Sequence, residues 1–470
     1  MAQPGTEAKP LRVAIIGSGP AAFYAADQLL KLEGRVVEVD MFDRLPTPYG
    51  LVRAGVAPDH QKIKSVTAAF DKIAAHPRFR LYGFVEFGKD VTREDLREHY
   101  HQILYATGAQ TDRRMGIPGE DLAGSHPATE FVAWYNGHPD YPDYQFDLQQ
   151  ERAAVVGVGN VAVDVARILC RTPEELAATD IAEYALEALR GSRIKEVYLL
   201  GRRGPAQAAF TNPEIKELGE LADADITTLP EEVELDPLSR GALEKSPDRG
   251  TLKKVEILQG YALRKPTGKS RRLAVRFLVS PVELRGNAAG QVVAMRLCRN
   301  ELYATPAGSL QARATDRFEE LPVGLVFRSV GYRGVPLSGV PFNESWGVIL
   351  NQKGRVIDPD TQAPVAGEYT AGWIKRGPTG VIGTNKPDAT ETVACMLEDL
   401  TRGAVLTPSH PDPAAAEALV RQRQPSFVSF GDWLRLDELE VVRGRPLGRP
   451  RLKFTRVEDM LAALGRNGRR

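Results

Sequence analysis

The chain has 470 residues, a length that favours two or three domains. Apolar residues make up 43% and charged residues 26%, an ordinary globular composition that excludes a disordered, collagen-like or coiled-coil chain. Basic and acidic residues balance at 61 each, so the chain lacks the overall positive charge that non-specific binding to nucleic acid or an anionic membrane requires.

The three cysteines, Cys170, Cys298 and Cys395, lie far apart and form no Cys-x-x-Cys pair. This spacing argues against a disulfide framework, a thiol redox pair, a zinc site and an iron-sulfur cluster, so any redox chemistry needs an added cofactor. No apolar run approaches the roughly 18 residues of a membrane span, and the first ten residues resemble neither a secretory signal nor a transit peptide. We expect a cytoplasmic protein with no metal site and no membrane partner.

The first predicted elements are a strand, a glycine turn and a helix. Leu11–Ile16 predicts a buried strand, Gly17–Ala22 (Gly-Ser-Gly-Pro-Ala-Ala) forms the turn, and an apolar-periodic helix continues to about Glu33. Residues 36–42 alternate as a second strand that ends at Asp43. A βαβ unit with an acidic residue after its second strand is typical of dinucleotide binding.

The same pattern recurs in the second quarter of the chain. Residues 153–156 predict a strand, Gly157–Ala162 (Gly-Val-Gly-Asn-Val-Ala) forms the turn, and residues 163–170 open a helix. The next strand, Glu196–Leu200, begins later than the usual spacing allows, so we expect an inserted helical segment at about residues 173–189.

Each glycine of these motifs has a physical role. The first one (Gly17, Gly157) permits a tight turn, and the second (Gly19, Gly159) lets a pyrophosphate approach the backbone at a helix N-terminus. One such match is weak evidence. Two matches in a chain without a reactive cysteine pair indicate a flavin together with a pyridine nucleotide, because a hydride donor needs an electron store.

The strand after the second motif continues into Gly201-Arg202-Arg203-Gly204. Two guanidinium groups at this strand end suit the 2′-phosphate that distinguishes NADP from NAD, so we predict that the chain uses NADPH. The alternative is that Arg202 and Arg203 are two surface arginines beside a turn.

Four longer segments carry a resemblance to a known family: residues 45–60 (LPTPYGLVRAGVAPDH), 159–169 (GNVAVDVARIL), 201–211 (GRRGPAQAAFT) and 372–385 (GWIKRGPTGVIGTN). On these segments the chain resembles adrenodoxin reductase and its bacterial counterparts, the FAD-containing ferredoxin-NADP reductases of the glutathione-reductase-like superfamily. The resemblance covers nearly the whole chain. It implies an α/β fold with two Rossmann-like, three-layer dinucleotide-binding domains, of which the FAD domain is discontinuous in sequence.

Turn-rich segments near residues 115–120 and 138–144 suggest crossings between these domains, and we place a boundary near Arg113. The predicted organisation is a flexible tail at 1–9, the first part of the FAD-binding domain at 10–112, the NADP-binding domain at 113–321, and the second part of the FAD-binding domain with a C-terminal tail at 322–470.

The resemblance implies a set of residues that hold FAD: Ala21, Asp43, Leu51, Phe87, Trp373, Gly380, Val381 and Ile382. Asp43 would accept hydrogen bonds from the adenosine ribose. Relatives usually carry glutamate at that position, so the aspartate has a shorter reach. Phe87 is bulkier than the valine usual at its position.

The resemblance likewise implies a set of residues that contact NADP: Arg113, Val158, Gly159, Asn160, Val161, Arg202, Arg203, Glu214 and Gly380. The sequence Asn212-Pro213-Glu214 predicts a helix start with Asn212 as the N-cap, which places Glu214 and Glu217 on one helix face. Stabilisation of the helix dipole is the alternative explanation for both glutamates.

Two residues are predicted to handle protons. His60 matches a family position near the flavin edge, and imidazole titrates near neutral pH, although a hydrogen-bonded helix cap is the alternative. Glu217 is the second candidate for a catalytic role.

The function implied by the resemblance is hydride transfer from NADPH to FAD, followed by single-electron transfers to a ferredoxin-type iron-sulfur protein that could feed a cytochrome P450. The resemblance also implies a monomer. Ferredoxins are usually acidic, so a basic docking patch is expected. Residues 249–276 hold nine basic residues and one acid, Glu256; a solvated β-hairpin is the alternative interpretation.

Two other functions are the alternatives. An NADPH-oxidising subunit of a larger synthase would also carry two nucleotide units, but it would need an N-terminal cysteine cluster, and no cysteine precedes Cys170. A redox sensor that binds FAD and NADP without turnover is compatible with the sequence. Reduction of the bound flavin by NADPH would distinguish the enzyme from the sensor.

Overall fold

The computed structural model describes residues 4–466. Within them the strands are, in chain order, β1 (Leu11–Ile16), β2 (Val37–Asp43), β3 (Phe79–Gly83), β4 (Gln102–Tyr105), β5 (Thr111–Asp112), β6 (Ser125–Pro127), β7 (Arg152–Val156), β8 (Glu196–Leu200), β9 (Ala224–Thr228), β10 (Arg271–Arg276), β11 (Val279–Gly286), β12 (Val292–Ala304), β13 (Leu310–Pro322), β14 (Leu325–Arg328), β15 (Tyr332–Arg333), β16 (Phe342–Asn343), β17 (Val348–Ile349), β18 (Asn351–Gln352), β19 (Arg355–Ile357) and β20 (Pro364–Thr370).

The α-helices of the same residues are α1 (Pro20–Leu30), α2 (Leu51–Ala54), α3 (Gln61–Lys64), α4 (Thr67–Ala74), α5 (Arg93–His99), α6 (Ala128–Tyr135), α7 (Asn160–Cys170), α8 (Pro173–Ala177), α9 (Glu183–Arg190), α10 (Asn212–Leu218), α11 (Pro230–Val233), α12 (Pro237–Lys245), α13 (Arg249–Ala262), α14 (Trp373–Arg376), α15 (Asn385–Arg402), α16 (Pro413–Arg423), α17 (Phe430–Gly444) and α18 (Val457–Ala463). None of these helices combines the length and the apolarity needed to cross a lipid bilayer.

The chain divides into two compact units. The first contains the described residues up to Thr111, Asn136–Asp140, and Tyr332 onward, and the second contains Asp112–Tyr135 and Tyr141–Gly331. The first unit is discontinuous in sequence. β14 pairs with β7 in the sheet of the second unit, so the chain leaves that unit after Gly331 rather than at the predicted boundary between residues 321 and 322.

The first unit is built on a sheet with the strand order β18-β19-β20-β4-β1-β2-β3. The strands from β20 to β3 are parallel, and β18 and β19 extend the sheet as antiparallel strands. Every residue of β1 is buried, as expected for a central parallel strand covered on both faces. Arg12 is tolerated there because Asp40 and Glu38 on β2 accept from its guanidinium at 2.7 Å each.

The second unit has an all-parallel sheet with the order β6-β14-β7-β8-β10-β9. Its amphipathic helix α7 buries Val163, Val165, Ile168 and neighbouring side chains in the core of this unit. The predicted insertion at residues 173–189 folds as α8 and α9. A separate antiparallel sheet, β11-β12-β13, belongs to the same unit.

The interpretation of residues 249–276 as a solvated β-hairpin is wrong. They form helix α13 and the internal sheet strand β10. Several of their cations also have intramolecular partners: Lys254 donates to the carbonyl of Ala208, and Arg276 pairs with Glu232. The local run of positive charge therefore overstates the free charge at the surface.

Two further local predictions need correction. Residues 1–3 of the predicted flexible tail lie outside the described residues, but Gly5 is fixed, since its carbonyl accepts from the Val36 amide at 2.9 Å. Asn212 is not an N-cap; it is the first residue of α10, Thr211 occupies the cap position, and the Asn212 side-chain amide donates to the carbonyl of Gly250.

Candidate cofactor-binding sites

The first glycine turn connects β1 with α1. Gly17 has φ +100°, and an added Cβ would lie 2.6 Å from the carbonyl oxygen of Ala106, directly after β4. An added Cβ at Gly19 would meet no described atom within 4 Å. Gly17 is therefore required by packing, whereas Gly19 leaves open space beside the backbone, as a bound pyrophosphate needs.

Helix α1 begins at this open space. Gly19 occupies the N-cap with extended backbone, Pro20 is the first helical residue, and neither a side-chain cap nor an acidic residue is found in the first turn of this described helix. Its N-terminal amides and the positive end of its dipole thus remain available to a phosphate group. The first turn fits the pyrophosphate of FAD on this geometry.

Asp43 ends β2, and it holds the glycine turn in place. Its carboxylate accepts from the backbone amide of Ser18 at 3.0 Å and from the Ser18 hydroxyl, and it also accepts from the amide of Leu45 at 2.9 Å. Burial raises the pKa of Asp43, in opposition to these hydrogen bonds. The sequence pattern indicated an acid at this position, but it did not reveal the bonds to Ser18.

The late segment predicted to line the flavin returns to the same turn. Gly372 has φ +80°. A Cβ added to Gly372 would lie only 2.7 Å from the Cβ of Ala21 on α1, so glycine is what allows this close approach. Asp388 accepts from the Gly372 amide at 2.5 Å and pairs with the buried Lys375 at 3.1 Å. The buried Ala21 is thus a packing residue, and the start of the late segment is rigidly anchored.

The remaining predicted FAD residues lie in loops or at the starts of short helices of the first unit. The indole nitrogen of Trp373 donates to the carbonyl of Thr379 at 3.2 Å, which closes the loop that contains Gly380. Val381 is half exposed. Phe87 packs edge-on against Tyr105, with ring centroids 5.7 Å apart.

Two more of these residues complete the set. Ile382 packs against the core beside the glycine turn, and Leu51 is exposed at the start of α2.

The second glycine turn, between β7 and α7, repeats the first. Gly157 has φ +135°, and an added Cβ would lie 2.2 Å from the carbonyl oxygen of Ser329, directly after β14. An added Cβ at Gly159 would meet no described atom within 4 Å, and Gly159 is the N-cap of a helix whose described first turn has neither a side-chain cap nor an acid. This turn also fits a pyrophosphate.

The loop that follows β8 is tied to the second turn. The carbonyl of Val158 accepts from the amides of Ala209 and Phe210, at 2.9 and 3.0 Å. The side chain of Asn160 accepts from the amide of Thr211 at 2.9 Å. Val161 packs against the core. These predicted NADP residues therefore set the position of the loop that carries the arginine pair.

Arg202 and Arg203 follow β8 directly. Asn300 donates to the carbonyl of Arg202 at 2.9 Å, and the carbonyl of Arg203 accepts from the amide of Leu278 at 3.1 Å, so the backbone is fixed. Arg202 is exposed and Arg203 is half-buried; within residues 4–466 neither guanidinium has an ion-pair partner. Burial and the neighbouring Arg202 lower the pKa of Arg203. Two adjacent cations without a counter-charge favour binding of an anion.

Glu214 and Glu217 lie on one face of α10, as predicted, and both face the fully buried Arg167 of α7. Arg167 donates to Glu214 at 3.3 Å, and its guanidinium lies 3.8 Å from Glu217. Asp164 completes the cluster at 2.6 Å. Sequence analysis missed Arg167, although an arginine on the apolar face of a helix is a signal for a buried ion pair.

His60 and Arg113 lie at the ends of short connections. The His60 carbonyl accepts from the amide of Ile63 at the start of α3, but its ring does not cap that described helix. His60 therefore occupies the N-cap position of α3, as the alternative interpretation expected, but it caps the helix through its carbonyl and not through its ring. The amide of Arg113 donates to the carbonyl of Gly331 at 2.9 Å, and its side chain packs on that glycine.

Comparison with known proteins agrees with this geometry. The family described as pyridine nucleotide-disulphide oxidoreductase matches residues 11–217. The chain is 46% identical to the NADPH-ferredoxin reductase FprA of Mycobacterium tuberculosis, with 96% of this chain and 99% of that protein covered. It is 41% identical to the mitochondrial NADPH:adrenodoxin oxidoreductase of Arabidopsis thaliana, with 97% and 95% covered.

A solved structure, that of Mycobacterium tuberculosis FprA in complex with NADPH, superposes with a TM-score of 0.90 at 46% identity and covers 97% of this chain and 100% of that one. The two open glycine turns, each at an uncapped helix, thus belong to a known two-nucleotide architecture. The chain is a member of the family of NADPH-ferredoxin reductases and adrenodoxin oxidoreductases.

Proposed function

We propose that this protein oxidises NADPH and reduces a ferredoxin-type iron-sulfur protein. The observation that carries the proposal is the pair of glycine turns, in which the second glycine faces open space at a bare helix N-terminus. The names of the relatives, NADPH-ferredoxin reductase and NADPH:adrenodoxin oxidoreductase, support the same electron donor and class of acceptor.

FAD, when bound, accepts a hydride from NADPH and releases single electrons, which links a two-electron donor to a one-electron acceptor. The chain supplies binding and orientation. Gly19 and α1 would hold the pyrophosphate of FAD, and Asp43 would offer its remaining acceptor capacity to the ribose. No side-chain nucleophile is needed for this chemistry.

In the second unit, Gly159 and α7 would hold the pyrophosphate of NADPH, and Arg202 with Arg203 would neutralise its 2′-phosphate. The contacts of Arg167 support a positioning role for Glu214 and Glu217, because a buried arginine fixes both carboxylates. Proton transfer by His60 or Glu217, and the contacts of Arg113 and Gly380 with NADP, remain predictions.

For the protein partner we propose an acidic ferredoxin, which matches the family. Transfer onward to a cytochrome P450, a monomeric state and a cytoplasmic location remain predictions from the sequence. The full-length coverage of single reductases such as FprA makes the subunit of a larger synthase the weaker alternative.

The test is anaerobic addition of NADPH to the purified protein while the visible flavin absorption is recorded. If the protein is a reductase, NADPH should bleach the flavin absorption, and the absorption should return when an oxidised ferredoxin is added. A spectrum unchanged by NADPH would instead support the sensor. Bleaching that a dye reverses but no ferredoxin does would refute the proposed acceptor.

A further inference from the structure

The segment Tyr49–Arg53 lies against the first glycine turn. The amide of Tyr49 donates to the carbonyl of Ser18 at 2.9 Å. Gly50 approaches Gly19 so closely that an added Cβ on Gly50 would lie 3.2 Å from the Cα of Gly19. This segment is therefore a wall of the space assigned above to the pyrophosphate of FAD.

The backbone of this wall has an unfavourable conformation. Tyr49 has φ +82° and Gly50 has φ +49°. Glycine adopts the left-handed region readily, but a residue with a bulky side chain does so only when the surrounding structure holds it. The contacts of Tyr49 must therefore keep this turn in place.

Most of these contacts come from helices α1, α4 and α17. The Tyr49 ring is buried and packs on Phe23, Phe70 and Trp433, with centroids 5.5, 6.1 and 5.7 Å away. The Tyr49 hydroxyl donates to Asp71 and accepts from the indole nitrogen of Trp433 at 3.2 Å. Both hydrogen-bonding capacities of the phenol are thus used to hold a strained turn.

A second set of contacts holds Arg53, at the other end of the wall. Glu440 of α17, fully buried, accepts two hydrogen bonds from the Arg53 guanidinium at 2.8 and 2.5 Å. Burial alone would raise the pKa of Glu440, but Arg53 and Arg451 hold it below its usual range. Lys453 donates to the carbonyl of Arg53 at 3.2 Å.

A buried ion pair is not an efficient source of stability, because its desolvation cost is large. An apolar pair of similar volume often stabilises the folded state at least equally. What such a pair supplies is a fixed geometry. Here Trp433, Glu440 and Lys453, all from the C-terminal part of the chain, direct polar groups at the same five-residue wall.

We propose that α17 and residues 451–454 form a C-terminal clamp that fixes Tyr49–Arg53 against the first glycine turn and so controls the retention of FAD. Tyr49, Trp433 and Glu440 are positioning residues of this clamp. The proposal rests on the assignment of the first turn to FAD in the proposed function. It assigns a role to α17 and to the segment that follows it.

The experiment measures the rate of FAD release from purified holoprotein after dilution. The fluorescence of free FAD is the signal that monitors the release. The variants are Tyr49→Phe, Trp433→Phe and Glu440→Gln. Tyr49→Phe and Glu440→Gln remove a polar or charged group at nearly constant volume, whereas Trp433→Phe also removes one ring of a buried indole. Glu438→Gln is the matched control, since it makes the same substitution on the exposed face of the same helix. We expect release about tenfold or more faster in Glu440→Gln and several-fold faster in the other two variants, with the control unchanged.

A purely structural role would give a different result. The thermal midpoint of each apoprotein is measured alongside. The clamp predicts faster FAD release from variants whose apoprotein midpoint stays close to that of the wild type. Release rates within twofold of wild type in all three variants, or a loss of apoprotein stability that accounts for the faster release, would overturn the clamp.

Tyr49→Gly separates the side chain from the backbone. Glycine adopts the left-handed turn without strain, so this variant keeps the backbone conformation accessible and removes only the side-chain contacts. FAD release from Tyr49→Gly that is faster than its loss of apoprotein stability explains supports the clamp, whereas FAD retention equal to wild type refutes it. A wild-type protein that binds no FAD would instead refute the assignment of the first turn, so the two failures are distinguishable.

Discussion

Arg203→Ala should weaken binding of NADPH and leave binding of NADH unchanged. The Arg203 guanidinium is half-buried, has the cationic Arg202 beside it, and has no ion-pair partner among residues 4–466. An incoming 2′-phosphate would remove that repulsion and accept a charge-assisted hydrogen bond, a contact worth about 1.5–3 kcal/mol. The dissociation constant for NADPH should therefore rise about ten- to a hundredfold.

The assay is titration of the oxidised holoprotein with NADP⁺ and NAD⁺, together with kcat/KM for NADPH and NADH with a small dye as acceptor. Arg203→Lys should recover part of the affinity, because it keeps the charge but loses the planar fork of the guanidinium. Arg202→Ala combined with Arg203→Ala should cost less than the sum of the single changes, since both groups would share one phosphate.

Arg190→Ala is the control, an exposed arginine of the same unit whose partner is the neighbouring Glu187. Arg190→Ala should change neither the dissociation constants nor kcat/KM for either nucleotide. An equal loss of NADPH and NADH binding in Arg203→Ala would refute the 2′-phosphate assignment and would indicate that the arginine acts on the fold of the loop.

Three further outcomes are expected. Gly159→Ala should keep its thermal midpoint yet lose NADPH affinity in titration. Gly157→Ala should instead lose about 2–5 kcal/mol of unfolding free energy in denaturant titration, because its Cβ would overlap a carbonyl at a left-handed φ. Equal stability of the two variants would contradict this expectation. Raising ionic strength should slow reduction of a ferredoxin more than reduction of a dye, because only the protein partner is steered by charge, and parallel salt curves would contradict charged docking. His101 is buried and burial lowers its pKa to about 4, so the stability that its neutral form contributes above pH 6.5 should fall by about 1.4 kcal/mol per pH unit between pH 6.5 and 4. His101→Asn should reduce the pH dependence of the unfolding free energy by that contribution in denaturant titrations at pH 7 and 5, and an unchanged slope would assign the loss to other groups such as His126 and His138, whose pKa burial also lowers to about 4.

Local pattern was enough to identify the two nucleotide units. The apolar run Leu11–Ile16, its glycine turn and Asp43 lie within about thirty-five residues, and strand, turn and helix signals of this kind act over a few positions. The strand Glu196–Leu200 was predicted with the bounds that the structure shows. The first glycine of each motif was predicted to permit a tight turn and the second to let a pyrophosphate approach; in the structure an added Cβ would meet a backbone carbonyl at the first and open space at the second.

Long-range pairings could not be predicted in this way. Asp43 was predicted to accept from the adenosine ribose, and its bonds to Ser18 were not predicted because they depend on the turn geometry. The contacts of Trp433 with Tyr49 and of Glu440 with Arg53 join residues more than 380 positions apart, and no periodicity links such positions. Two cations of the basic run at residues 249–276, Lys254 and Arg276, likewise have partners on other elements, which the run itself does not indicate.

The sequence by itself determined where two phosphate-binding turns form, because glycine conformation and helix N-termini are properties of adjacent residues. The tertiary structure alone decided which side chains surround those turns. Only the folded chain brings residues 372–388 to the first turn, α17 to Tyr49 and Arg53, and Arg167 to α10, because contacts between distant segments are selected by packing and charge compensation across the whole unit.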